Sequence, residues 1–156
     1  MDKKVLNSLK EILGKNKLLT LSTIGHNQPH SSTAYYAFDK NFNLYIWSEK
    51  ASAHSKNILK NKKVAVNIFD SEQKWGSLLQ GVQAMGVAKP VNNKELIKAG
   101  LLYLKRFPAS LKMVKNPKGF QHKIFESQLY KIKLNEIKVF DERTFGKGES
   151  RNISLR

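Results

Sequence analysis

The sequence predicts a mainly β fold, an antiparallel barrel, closed or split, with helices on its periphery. Three observations carry that expectation. Apolar and polar residues alternate with a period of two through several segments bounded by turn residues. The expected order helix–β–β–β–helix–β–β–helix–helix–β does not match the regularly alternating strand–helix–strand units that build parallel sheets. The 156 residues, 40% hydrophobic and 26% charged, suffice for one domain with a sizeable core, and no linker or repeat divides residues 1–156.

Val5, Leu6, Leu9, Ile12 and Leu13 recur at helical spacing, so the first helix is expected over residues 2–13, with Gly14 as its stop. Leu18 to Ile24 alternates and reads as a strand, and Gly25-His26-Asn27-Gln28 turns the chain. A second strand runs from Pro29 to about Phe38, and a third from Asn43 to Ser48 after the turn Asp39-Lys40-Asn41. Between Ala51 and Lys60 the period becomes helical, with Ser52 at the N-cap position. Val64 to Phe69 returns to strand, and the polar stretch 70–76 reads as a loop. Leu78 to Val91 is a long strand interrupted by Gly81 and Gly86, which predicts bulges or bends there. Asn92 or Asn93 caps a helix reaching about Lys105, which Arg106-Phe107-Pro108 ends. A short helix over Ala109 to Val114 and a loop at Asn116-Pro117-Lys118-Gly119 follow. In the last strand, Leu129 to Phe140, the alternation of Tyr130, Ile132 and Leu134 slips before Ile137 and Val139. The tail from Thr144 contains Gly, Ser and Lys and is expected to be flexible.

Composition removes several classes of function. There is no cysteine, which excludes disulfides, thiolate metal sites and cysteine nucleophiles. The N-terminus has no signal-peptide core and no apolar run approaches a membrane span, so a cytoplasmic location without a membrane partner is expected. The net charge of +16 points first to a polyanion. Yet 24 of the 28 basic residues are Lys, spread along the chain, and only four are the Arg that reads bases and clamps phosphates. Nucleic acid is therefore not the expected partner, although a positive field favours a small phosphorylated ligand. Nucleotide-binding glycine loops, hydrolase elbows and zincin motifs are absent. His26, His30, His54 and His122 lack metal-ligand spacing, and the twelve acidic residues form no obvious pair. No metal site is expected, and no side chain is nominated as catalytic.

Two segments carry the chemistry that remains. Trp47-Ser48-Glu49-Lys50-Ala51-Ser52-Ala53-His54-Ser55-Lys56 places hydroxyls, two lysines and a histidine where a strand gives way to a helix. The N–H groups and dipole of a helix N-terminus favour an anion, and Ser and Lys side chains add charge-assisted bonds to phosphate oxygens. The same residues also read as a plain helix cap beside solvated side chains. His30-Ser31-Ser32-Thr33-Ala34-Tyr35-Tyr36 is a strand whose small hydroxyl side chains leave backbone accessible to a flat heterocycle, or an ordinary barrel strand. Trp47 reads as a stacking partner or as core, and Gln83 as a ring-reading amide or an exposed strand residue.

These pieces, in this order, resemble the pyridoxamine 5′-phosphate oxidase-like FMN-binding split-barrel superfamily over about residues 5–91. The resemblance rests on Pro29 to Tyr36, Leu44-Tyr45-Ile46-Trp47-Ser48, Ser52-Ala53-His54, Asn61 to Val66 and Val82-Gln83-Ala84-Met85-Gly86. Arg106-Phe107-Pro108, Tyr130 to Lys138 and Phe145-Gly146-Lys147-Gly148 resemble an uncharacterised bacterial branch of it.

The resemblance implies a homodimer with FMN at the subunit interface. It places Ser31, Ser32 and Thr33, with His30 beside them, at the isoalloxazine, and Ile46, Trp47 and Ser48 along the ring and ribityl chain. Ser52 and His54 would hold the phosphate, with Lys50 or Lys56 swinging in, and Gln83 would reach a flavin in the partner's half. Two departures stand out. Ala53-His54 replaces the superfamily's basic pair, and Arg143 and Arg151 lack the histidine two residues on that completes a substrate clamp. The implied activity is an FMN-dependent oxidoreductase with a small-molecule electron donor and acceptor, not a vitamin B6 enzyme. A flavin carrier without turnover, a deazaflavin protein, or a haem protein with His30 or His54 as axial ligand are the other readings on the same barrel.

Overall fold

The computed structural model describes residues 2–110 and 126–155. In chain order it contains α1 (Lys3–Lys15), β1 (Leu18–Gly25), β2 (Gln28–Phe38), β3 (Leu44–Glu49), α2 (Ala53–Lys60), β4 (Lys63–Phe69), β5 (Gln80–Pro90) and α3 (Asn93–Arg106). A 3-10 turn at Pro108–Ser110, then β6 (Ser127–Asp141), α4 (Glu142–Phe145) and β7 (Ser150–Ser154) complete it.

The seven strands form one antiparallel sheet in the order β3-β2-β1-β4-β5-β6-β7, and β3 also pairs with β6. That extra pairing curls the sheet on itself. Closure is incomplete, because β2 and β3 are bonded only through Tyr36↔Ile46, Ala37↔Tyr45 and Phe38↔Leu44. Beyond Ile46, β3 leaves β2 and runs along β6 from Trp47↔Leu129 to Glu49↔Ser127. β2 from Gln28 to Tyr35 stays bonded to β1. The barrel is therefore split between β2 and β3.

Inside, Leu19, Leu21, Leu44, Ile46, Val66, Ile68, Val82, Ile132, Leu134 and Val139 pack with Val5, Leu9, Ile12 and Leu13 of α1 and Ile58 of α2. At about 25 cal/mol per Å² of apolar surface removed from water, this core is the main stabilising term. A smaller cluster of Tyr45, Val91, Ala99 and Leu129 lies under α3, outside the barrel. Two ion pairs fasten α3 there, Lys98 to Asp39 at 3.4 Å and Lys131 to Glu95 at 2.6 Å.

Several local expectations hold for legible reasons. Ser52 and Asn92 cap α2 and α3 by accepting from the N–H of Ser55 and of Glu95. His26 and Asn27 both adopt positive φ, 52° and 57°, between the paired residues Gly25 and Gln28. That is the two-residue turn whose twist matches a hairpin. The slip in the last strand is a bulge: Met85 pairs with Glu136 but Gly86 with Leu134, leaving Asn135 as the extra residue. Gly86 is required there, because a Cβ would stand 2.4 Å from the Lys133 carbonyl oxygen.

Other expectations change. Gly14 lies within α1, which ends at Lys15, and the backbone N–H of its C-cap Asn16 still reaches Ile12 O. Gly81 produces no register shift. Only the 3-10 turn stands at the start of the expected helix at Ala109; Leu111 to Val114, the loop Asn116 to Gly119, and His122 lie outside the described residues. The expected flexible tail is instead α4 and β7, which pairs with β6 from Phe140↔Ser150 to Glu136↔Ser154. Ile153 and Leu155 pack against the core, and the open edge of β6 supplies the backbone partners.

Candidate functional site

Alternation along β2 and β3 divides the candidate residues between two sides of the sheet. On β2, Ser31, Thr33 and Tyr35 face outward and are exposed, while His30, Ser32 and Ala34 are half-buried on the inner side. On β3, Ile46 is fully buried in the core, Trp47 faces outward and Ser48 lies on the inner side at the rim. Ile46 thus does not line the split: its side chain fills the barrel and its backbone lies between Tyr36 of β2 and Tyr130 of β6.

The inner residues meet the first turn of α2. His54 Nε2 lies 2.5 Å from Ser48 Oγ and 3.2 Å from Ser52 Oγ. Ser52 Oγ also donates to Ser55 Oγ at 2.9 Å, and Ser55 Oγ to Ser48 Oγ at 3.4 Å. Three hydroxyls and one imidazole therefore converge at the N-terminus of α2, where partial positive charge accumulates. Burial, and then the neighbouring His30, hold the His54 imidazole below its ordinary value of 6.5, so it is neutral at pH 7. His30 Nδ1 is buried and has no hydrogen-bond partner among the described residues. Ser55 lies within the segment the sequence marked but was not singled out there; its signal was its spacing of three from Ser52, which puts it on the same turn. Lys50 and Lys56 flank the cluster and are exposed.

On the outer side the split is walled by rings. Tyr35 meets Phe107 edge-on at 5.4 Å, Phe107 meets Tyr103 at 5.0 Å, and Tyr103 meets Trp47 at 6.4 Å. Tyr103 and Phe107 come from the end of α3, distant in sequence, so the sequence did not mark them. Gln83 lies elsewhere, opposite Asn67 and Lys138 in the ladder. It lines an outer cleft of about 590 Å³ with Ser22, Ala65, Asn67, Met85 and Asn152. Large apolar side chains stand exposed on this outer face, including Leu18, Phe69 and Met85, the last at 54%. No group of three or more potential metal ligands exists among the described residues. No helix among them is long and apolar enough to cross a membrane.

An antiparallel barrel split along one strand edge, with a hydroxyl–imidazole cluster at its rim, defines a split-barrel protein. Comparison with known proteins makes the assignment narrower. The chain belongs to the pyridoxamine 5′-phosphate oxidase family, whose sequence profile matches residues 6–140. A UPF0306 protein of Campylobacter jejuni is 30% identical over 109 residues, 69% of this chain and 73% of the relative. A solved pyridoxamine 5′-phosphate oxidase-like structure from Listeria innocua superposes with a TM-score of 0.65 at 16% identity, over 85% of this chain and 95% of that one. A heme binding protein from Mycobacterium smegmatis superposes with a TM-score of 0.76 at 14% identity, over 99% of this chain but 59% of that longer one.

Proposed function

We propose that this protein binds FMN and acts as a flavin-dependent oxidoreductase, as a homodimer with the flavin between subunits. The observation that carries the reading is the split itself. The β2 edge from Ser31 to Tyr35 has no strand partner on the β3 side among the described residues, and the hydroxyl–imidazole cluster stands at its rim. A flat heterocycle bonds to strand-edge amides, and a phosphate suits hydroxyls at a helix N-terminus. The donor set fits the cofactor: Ser48, Ser52, Ser55 and His54 for the phosphate, with Lys50 and Lys56 as the flanking cations, and Ser31, Thr33 and Trp47 for the ring system. Bound there, FMN supplies electron or hydride transfer between small molecules, while the chain orients it.

The dimer reading is supported by the outer face, where Met85, which lines the cleft that holds Gln83, is exposed together with Phe69 and Leu18. Exposed apolar surface of this kind pairs in two-fold fashion, and Gln83 would then serve the partner's flavin.

A haem reading is favoured by one observation, the buried Nδ1 of His30, which has no hydrogen-bond partner among the described residues, in a fold shared with a heme binding protein. The visible spectrum of the purified protein, before and after adding FMN and gel filtration, separates the two. Retained flavin bands support the first reading, and a Soret band replaces it with the second. A protein that retains neither cofactor overturns both.

A further inference from the structure

We infer that Asn57, Thr23 and Gly25 form a clamp that positions His54 beside Ser48 and His30, and so act as positioning residues for the rim cluster. Asn57 belongs to α2, and Thr23 and Gly25 belong to β1. Asn57 is buried and donates from Nδ2 to Thr23 Oγ1 at 3.1 Å, and Thr23 is itself 1% exposed. Thr23 stands opposite His30 in the β1–β2 ladder, and its hydroxyl points to the His30 carbonyl at 3.5 Å. The chain of contacts therefore runs from α2 through Thr23 to the strand that bears His30.

Gly25 completes the fit. A Cβ at this position would stand 2.2 Å from Asn57 Oδ1 and 2.7 Å from its Cγ. The missing side chain is what allows the Asn57 amide to sit against β1. Asn57 and His54 are three residues apart in α2, hence on neighbouring positions of one helical face. Releasing Asn57 lets the first turn of α2 move relative to β2 and β3. No member of the clamp is needed to touch a ligand.

The test uses Thr23→Val, which removes the hydroxyl at nearly constant volume, Thr23→Ser, which keeps it, and Gly25→Ala, which displaces the Asn57 amide. Two readouts are taken: the NMR titration of the His54 imidazole in the ligand-free protein, and the dissociation constant for FMN from flavin fluorescence. In Thr23→Val and Gly25→Ala the His54 titration moves up towards the ordinary imidazole value, and FMN binding weakens about tenfold. Thr23→Ser retains both wild-type values. A folded Thr23→Val or Gly25→Ala protein with an unchanged His54 titration overturns the clamp. If Thr23→Val does not fold, Gly25→Ala decides. The FMN readout alone rests on the flavin reading of the site; wild-type protein that does not bind FMN ends that reading, while the His54 titration still decides the clamp.

Discussion

Tyr36 and Arg106 donate to the same carbonyl oxygen, that of Leu13, at 2.8 Å and 2.7 Å, while the guanidinium lies 4.9 Å above the Tyr36 ring. Leu13 is in the last turn of α1, where carbonyls lack helical partners. Arg106 also reaches the carbonyls of Gly14 and Asn16. One side chain at the end of α3 thus closes the end of α1, and the fully buried Tyr36 supports it from the barrel.

Arg106→Ala is expected to lower stability by about 2 kcal/mol, the scale of charged hydrogen bonds lost to partly buried carbonyl acceptors. Arg106→Lys recovers little, because an ammonium cannot reproduce the fork and the stacking. Urea denaturation of the three proteins measures this, and a lysine variant equal to wild type would show that charge alone matters.

Asp141 gives the protein an acid-sensitive joint. The carboxylate is fully buried and accepts from Ser8 Oγ at 2.7 Å, Thr144 Oγ1 at 2.8 Å and Gln80 Nε2 at 3.0 Å. Burial alone would raise its pKa, but these bonds and the Arg143 charge together hold it below the usual carboxylate range. Its contribution is present above the unfolded value and is lost as pH falls through the folded one. Asp141→Ala is expected to cost about 3 kcal/mol at neutral pH. Asp141→Asn should flatten the acid limb of stability against pH, and an unaltered acid limb in that variant would refute the assignment.

His54 should show opposite pH effects with and without ligand. In the ligand-free protein its folded pKa lies below 6.5. Its contribution to stability is therefore present above that value and fades as pH falls through the folded pKa. A phosphate dianion beside it stabilises the imidazolium. FMN affinity should then rise as pH falls towards 6.5, until phosphate itself protonates near about pH 6. Titrating FMN across this range with wild type and His54→Gln checks both signs; a glutamine variant with the same slope would assign the proton elsewhere.

Ala65→Arg tests the outer face. Ala65 lies between Ser22 of β1 and Met85 of β5 and lines the outer cleft. An arginine there should convert a dimer to a folded monomer in sedimentation equilibrium, with circular dichroism unchanged, and should weaken FMN binding if the partner's Gln83 takes part. Wild-type protein that sediments as a monomer at micromolar concentration would sink the shared-site arrangement.

The sequence by itself determined what local physics controls. Period-two alternation marked the six longer strands, and side-chain capping marked Ser52 and Asn92 as helix starts. Even the β6 bulge was written in the step from Leu134 to Ile137, because inserting one residue moves the apolar set by one position. Ser48, Ser52 and His54 were legible as a group because strand end and helix start are adjacent in the chain. Tertiary structure alone decided which strand β3 follows after Ile46, and hence where the barrel splits. It also decided that His30 comes near enough to His54 to affect its charge, that Ile46 fills the core, that α3 brings Tyr103 and Phe107 to Tyr35 and Trp47, and that the tail becomes β7. Each of these depends on pairing between residues far apart in the chain. Such pairing is selected by the burial and backbone bonding of the whole sheet, which no local pattern encodes.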